Sequence, residues 1–386
     1  MKVRLSSATL IKLGVAGYLV RIIIWSLSFG SNDIRIWHNF ASLIQEYGVY
    51  NLYNLDLTPI FNHPPLMGLY STLCLSVADN LGVSFSYIFR LIPLLSDMGT
   101  GGLIYHYLHK SRKNSHIAAW GFLIYSWSIP PALISSFHGN TDALCTFFLV
   151  SSIVAWEIYR KFTWMLLLLL ASINIKIIPL ILFPAAALNC KSKQNFLLGG
   201  LIILIGLASF IIGFIISPSA LFKNIFMYSS APQPWGINFL FLMTGQYNDN
   251  GDIFQAFRNY AAILIVLAII VAASFLQLIR KSTYLESVLA SFLLFFILAP
   301  GFAVQYFIYL SPLVLMYSIE LGIVYSIIAG LSCLQIYIPF TKTLIPWETV
   351  HTFPFPLAAI LTNFIIWLLL IYVIYKIFRN SKSTRP

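Results

Sequence analysis

Charged side chains are scarce in this chain of 386 residues: Asp, Glu, Lys and Arg make up 9% of it, while 59% is hydrophobic and the mean hydropathy reaches +0.85. Soluble domains carry about 25% charged residues, so a water-exposed globular surface is excluded and an integral membrane protein is implied. Acidic residues are the scarcer sign, 12 against 23 Lys and Arg. The resulting net charge of +11 does not point to nucleic acid, because the basic residues collect in short clusters between apolar runs, as they do at the cytoplasmic ends of membrane spans. Cysteine is also sparse. Cys74, Cys145, Cys190 and Cys333 are far apart and form no Cys-x-x-Cys, which indicates neither a disulfide framework nor a metal site. No linker, low-complexity tract or short-period repeat interrupts the sequence, and residues 1–386 read as a single domain.

What is abundant is apolar sequence in runs of about 15 to 25 residues. Such runs suit spanning helices, whereas barrel strands alternate over about 10 residues. The pattern predicts an all-α polytopic membrane protein with about 12 transmembrane helices, in a range of about 10 to 13, and both termini in the cytoplasm. The first span, about Ile11 to Phe29, is flanked by Lys2, Arg4 and Lys12. It reads as a retained span rather than a cleaved signal, because the rest of the chain is equally hydrophobic. A first outer loop follows at about 31–87. Its apolar stretch from Leu66 to Val77 is too short to cross and is expected to lie at the interface. Basic residues flank both ends of the segment from Phe162 to Leu188, so a hairpin bending at Asn174-Ile175-Lys176 is predicted there. A second long outer loop, rich in aromatics and proline, is expected at about 217–252.

Asp33, directly after the first span, is the leading candidate for chemistry. A carboxylate at the mouth of a membrane cavity can take a proton from an attacking hydroxyl, and equally it can cap the next helix. Arg21, Arg90, Asp97 and Lys176 fall inside apolar segments, where a charge is costly unless paired or facing a cavity. Arg21 with Asp97 is the expected interhelical pair, while Lys176 sits at the predicted bend as a cation able to meet a phosphate. His138 and Asp142 are four apart. They read as cavity-lining polar groups or as two ligands of a divalent metal, a weak signal without a third ligand. Gln305-Tyr306 forms an uncharged polar cluster at a span mouth.

Taken in order, Asp33, His63-Pro64-Pro65-Leu66, Arg90 with Asp97, Gly139-Asn140-Thr141-Asp142, Lys176 with Pro179, and Pro300-Gly301-Phe302 followed by Gln305-Tyr306 resemble the C-type (GT-C) membrane glycosyltransferases. The flavour is that of prokaryotic polyprenyl-phosphate-mannose-dependent mannosyltransferases, and the layout is similar to that of GPI mannosyltransferase I and the dolichyl-phosphate-glucose glucosyltransferases. The resemblance implies a GT-C-like fold with horizontal helices in the first outer loop, and it makes Asp33 the catalytic base. It maps the family's second polar outer-loop motif onto His138 to Asp142 and its Lys-x-x-Pro onto Lys176 and Pro179. It further implies a polyprenyl-phosphate sugar donor, a lipid-linked or glycan acceptor, surrounding membrane lipids, no required cofactor, and a divalent metal as helpful but dispensable. Lys176, Arg35 and His63 are then expected around the donor phosphate, and His138, Asn140, Asp142, Gln305 and Tyr306 around the acceptor. The expected location is the plasma or inner membrane, or the endoplasmic reticulum membrane in a eukaryote. Ile34-Arg35 stands where the family has an aromatic beside the acid, and His63 stands where many relatives have Tyr. Two other classes fit the composition: a secondary transporter, which would show two similar halves, and a polymerase or ligase of lipid-linked glycans.

Overall fold

The computed structural model describes residues 5–228, 233–245, 252–341 and 356–380, and among these the chain is helical without a strand. Helix α1 (Ser7–Leu27) is followed by the two helices of the first outer loop, α2 (Asn32–Tyr47) and α3 (Pro65–Leu81). Next come α4 (Phe85–Arg112) and α5 (Ser115–Trp127), then a short turn over Ile129–Ala132 and a π-helical turn over Leu133–His138. Helices α6 (Asp142–Glu157) and α7 (Phe162–Ile175) pack side by side. Short turns at Ile178–Leu182 and Phe183–Ala187 lead to α8 (Lys193–Gly206) and α9 (Ala208–Ile216). The rest of the bundle is α10 (Asp252–Ser274), α11 (Tyr284–Leu298), α12 (Phe307–Tyr317), α13 (Ile319–Thr341) and α14 (Leu357–Asn380). Four of the described helices are long and apolar enough to cross a membrane, and the number rises to six if each of two bent pairs is one span. Leucine-rich faces such as Phe196, Leu197, Leu201 and Ile205 on α8 stay exposed, as a lipid-facing surface requires.

Helix ends follow local chemistry. Ser6 accepts the Thr9 amide at 3.1 Å to start α1, Asn114 accepts two amides to start α5, and Thr283 with Glu286 forms a capping box on α11. Pro65 opens α3 at a position whose amide needs no partner, and Gly82 in the left-handed region closes it. The two bends also have local causes. Pro130-Pro131 interrupts the span that starts with α5, which bends by 51°. At the α8–α9 bend, Asn174 donates to the Gly206 carbonyl at 2.7 Å and accepts from Ser209 at 2.9 Å, a side chain inserted into the helix ladder.

Hydrogen bonds tie the basic clusters into one end of the bundle. His116 reaches the Leu5 carbonyl (3.1 Å), Arg112 the Tyr317 carbonyl (3.4 Å) and Tyr159 the His106 ring (2.8 Å). Asn189 donates to Gln277, three residues before Arg280. The Tyr284 amide beside Arg280-Lys281 donates to Glu157, just before α7, so the segment after Lys176 returns to the end from which α7 departed. Its return limb is two short turns rather than a full span. At the opposite end the two outer loops meet: Asn54 donates to Ser217 (2.8 Å) and Asn224 to the Tyr53 carbonyl (3.1 Å). Pro232 and Tyr247 of the second loop, Lys2 and Arg4 at the start, and the basic tail after 380 lie outside the described residues.

The first outer loop is amphipathic in two senses. Helix α2 buries Ile34, Trp37, Phe40, Ala41 and Ile44, and exposes Asn32, Arg35, His38, Asn39, Ser42 and Gln45. Helix α3, packed beneath it, exposes Leu66, Leu69 and Leu73. The pair thus presents one polar face, on α2, and one apolar face, on α3. The interhelical pair predicted from sequence is present: Arg21 and Asp97 form a buried ion pair, and Asp97 also accepts from Tyr125 (2.7 Å) and Ser135 (2.9 Å). Arg90 has no share in it. Its guanidinium instead gathers the Trp25, Ser28 and Ser136 carbonyls and the Ser28 hydroxyl, tying the end of α1 to the π-helical turn.

Candidate functional site

The tie made by Arg90 sets the approach of two backbone segments. The Ser31 amide and hydroxyl both donate to the His138 carbonyl, at 3.2 and 2.6 Å, and the same hydroxyl accepts the Asp33 amide at 3.2 Å. Ser31, rather than Asp33, is thus the N-cap of α2, and the Asp33 carboxylate is free for other partners. Gly139 completes the approach. Its φ of +77° lies in the left-handed region, and a Cβ there would stand 2.6 Å from Ile34 Cγ1 and 3.1 Å from Arg90 Cδ, so only glycine lets the turn close on α2. Gly139→Ala is expected to cost at least about 2 kcal/mol, read as a lower thermal midpoint in detergent, and to move Asp33 off its partners.

Those partners are His138 and Asn140, which contact the same oxygen. Asp33 Oδ2 lies 2.9 Å from His138 Nε2 and 3.0 Å from Asn140 Nδ2. Oδ1 has no hydrogen-bond partner among the described residues, and the side chain is 35% exposed. That exposure is to a recess rather than to bulk water, so desolvation pushes the Asp33 carboxyl upward. The hydrogen bond to His138, with Lys176 nearby, outweighs it and holds the carboxyl below its ordinary value. Asp33 is therefore ionised at neutral pH with one oxygen open.

The recess is a cavity of about 950 Å³. Asp33, His63, Asn140, Lys176, Gln305 and Tyr306 form its polar part, and Ile181, Phe183, Ile265, Val266 and Ile269 line its apolar part. Trp235 packs in a tilted arrangement against Phe302, with ring centroids 4.9 Å apart, and Asn238 bonds the Pro300 carbonyl. These contacts hold the 299–306 segment over one side of the space.

Of the set expected around a phosphate, Lys176 and His63 line the cavity and Arg35 does not. Lys176 is not a lone cation: its Nζ pairs with Asp142 Oδ2 at 2.9 Å, and Tyr309 donates to the other oxygen at 2.7 Å. A buried ammonium without an anion is too costly in this setting, and the Lys176 ammonium also lies 5.3 Å from the Tyr306 ring centroid. Arg35 does not line the cavity. It is exposed on the outer face of α2, because residues two apart on a helix point in nearly opposite directions. His63 lies tilted against Trp37, with ring centroids 4.3 Å apart. Burial, reinforced by Lys176 and opposed by Asp33, pulls its pKa down to about 3, so it offers a neutral imidazole rather than a charge.

His138 and Asp142 do not converge as metal ligands, since each is taken by different partners. Among the described residues no group of three His, Cys, Asp or Glu side chains is placed to hold a metal ion. Three contributors escaped sequence reasoning. Tyr337 meets His138 Nδ1 at 2.6 Å, Tyr309 holds Asp142, and Arg258 lines the cavity from the first turns of α10. Arg258 alone carried a usable signal, a single cation opening an apolar run with Gln255 and Asn259 beside it. No family model matches the chain, and no curated protein is significantly similar to it.

Proposed function

We propose that this chain is a membrane glycosyltransferase of the C type, which moves a hexose, mannose by the resemblance, from a polyprenyl-phosphate donor to a lipid-linked or glycan acceptor with inversion. One observation carries the reading: a single cavity joins an open carboxylate oxygen, two cations and an apolar wall. From Arg258 to Ile269 that wall follows twelve residues of α10, roughly 16 Å of helix, which suits an amphiphile with a charged head and an aliphatic chain.

In the proposed step the acceptor oxygen attacks the anomeric carbon from the face opposite the phosphate. The bond from that carbon to the phosphate oxygen breaks, its electron pair leaves with the lipid phosphate, and the acceptor proton passes to Asp33 Oδ1. The phosphate gains a negative charge as it departs, so fixed cations beside it favour the transition state over the ground state. Arg258 takes the role first expected of Arg35: it lines the cavity and has no carboxylate partner among the described residues. Lys176 supports it, with part of its charge spent on Asp142.

On this reading the basic end of the bundle faces the cytoplasm with both termini, and the cavity opens toward the opposite side of the plasma, inner or endoplasmic reticulum membrane. The route through about 12 legs uses several helices shorter than a full span, which protein surrounds.

The test is transfer by the purified protein in liposomes containing a labelled polyprenyl-phosphate hexose. Label appearing in an acceptor supports the proposal, whereas uptake of a solute that is chemically unchanged favours the transporter. Arg258→Ala is expected to raise the donor KM about tenfold, the weight of one charge-assisted hydrogen bond. Arg258→Lys is expected to restore part of that loss, and an unchanged KM in both variants removes Arg258 from the phosphate site.

A further inference from the structure

His138 is held from both sides of its ring. On the cavity side Nε2 meets Asp33 Oδ2 at 2.9 Å, and on the interior side Nδ1 meets the Tyr337 hydroxyl at 2.6 Å. Tyr337 comes from α13, is 2% exposed, and packs edge-on against His138 with ring centroids 5.5 Å apart. Packing alone needs only the ring, which phenylalanine would supply. The hydroxyl bears on the ring directly, because a buried phenol 2.6 Å from an imidazole nitrogen is coupled to where that ring carries its proton.

We infer that Tyr337 is a positioning residue, which fixes the Nε2–H tautomer of His138 and thereby holds Asp33 with Oδ2 engaged and Oδ1 open to the cavity. The phenol donates to the Nδ1 lone pair, so the proton of the neutral ring lies on Nε2, and Nε2–H donates to the carboxylate. The opposite tautomer would set a nitrogen lone pair against Oδ2 and repel it. The backbone of the same histidine is fixed independently, by the two hydrogen bonds from Ser31 to its carbonyl. The consequence for catalysis rests on the proposed glycosyl transfer; the tautomer itself does not.

The charged and titratable groups around the pair are few. Asp33 faces His138 from the turn before α6, Lys176 from the break after α7 and His63 from the first outer loop. Tyr337 faces Cys333 of its own helix, together with Asp33 and Asp142. When the Nε2–H donor is no longer fixed, the carboxylate loses a hydrogen bond that favours its charged form. Its pKa then rises toward the ordinary value, and the base is protonated at a higher pH than before.

Tyr337→Phe separates these effects. In protein labelled with 15N-histidine in lipid nanodiscs, with His138 assigned by its loss in His138→Gln, the native ring is expected to show Nε2 protonated and Nδ1 bare. In the Phe variant Asp33 still favours Nε2–H, so a minor population protonated on Nδ1, absent from the native protein, is expected to appear. In transfer assays the variant is expected to lose about tenfold in kcat with an unchanged donor KM, and the acid limb of its profile moves to higher pH. A native ring protonated on Nδ1 overturns the inference without any variant. So does a Phe variant with the native spectrum and the native acid limb. If the tautomers behave as expected while neither protein transfers sugar, the proposed function fails and the assignment of His138 stands.

Discussion

Asp33→Asn is expected to lower sugar transfer by about 10²- to 10⁴-fold while leaving the protein folded. The substitution suits the site because an asparagine can turn its carbonyl oxygen to the place of Oδ2 and accept from both His138 and Asn140. Ser31, not Asp33, caps α2, so the helix start is untouched. What changes is the atom facing the cavity: Oδ1, which can take a proton, becomes an amide nitrogen, which cannot. The loss should fall on kcat, since the donor phosphate is assigned to Arg258 and Lys176. An Asn variant with near-native kcat would mean that the acceptor is deprotonated elsewhere. A variant with unchanged kcat but weaker donor binding would mean that the carboxylate belongs to ground-state recognition.

The second large effect lies away from the cavity. Arg21→Met is expected to destabilise the protein by about 3–5 kcal/mol, because it leaves the Asp97 carboxylate buried without a counter-charge. Tyr125 and Ser135 still donate to Asp97, but hydroxyl dipoles do not replace a guanidinium that was 1% exposed in its side chain against a fully buried acid. Asp97→Leu is expected to be as damaging for the mirror-image reason. Arg21→Met with Asp97→Leu should recover most of the folded, monodisperse protein, since the pair is then replaced by apolar volume. Thermal midpoints of the three variants in one detergent decide the matter. Additive losses in the double variant would show that each side chain acts through contacts other than the pair.

The contrast between these two acids bears on how much the sequence could reveal. Arg21 and Asp97 were legible as a pair because charge inside an apolar run must be neutralised, whatever the fold. The break at Lys176 was legible for a related reason, since basic clusters on both sides of one apolar segment demand a return. In the structure Asn189, at the end of that segment, bonds Gln277 near the Arg280-Lys281 cluster. The meeting of Asp33 with His138 and Asn140 was anticipated only as a shared compartment. The fold then brings residues more than 100 positions apart to hydrogen-bonding distance.

Other features were beyond reach because they depend on direction rather than composition. Arg35 is two residues from Asp33, close in sequence, yet helical geometry turns it to the outer face, while Trp37, one full turn on from Asp33, shares the cavity. Lys176 needed an anion, but nothing local marked Asp142, 34 positions earlier, as its partner. Tyr337 was the hardest to see. It sits in an apolar helix with no motif around it, and its hydroxyl acquires meaning only from a histidine 199 residues away. The short helices α7, α11 and α12 likewise blurred the count of spans, since hydropathy registers length and not the protein that surrounds a half-span.

The central claim is that one cavity brings the head of a lipid phosphate to the open oxygen of Asp33. Its most direct measurement is single-turnover transfer from a purified, anomerically defined polyprenyl-phosphate mannose, comparing the native protein with Asp33→Asn and assigning the product linkage by NMR. The native protein is expected to give a product of inverted anomeric configuration, and the variant to form it about 10²- to 10⁴-fold more slowly. Retained configuration, or equal product from both proteins, would contradict the claim.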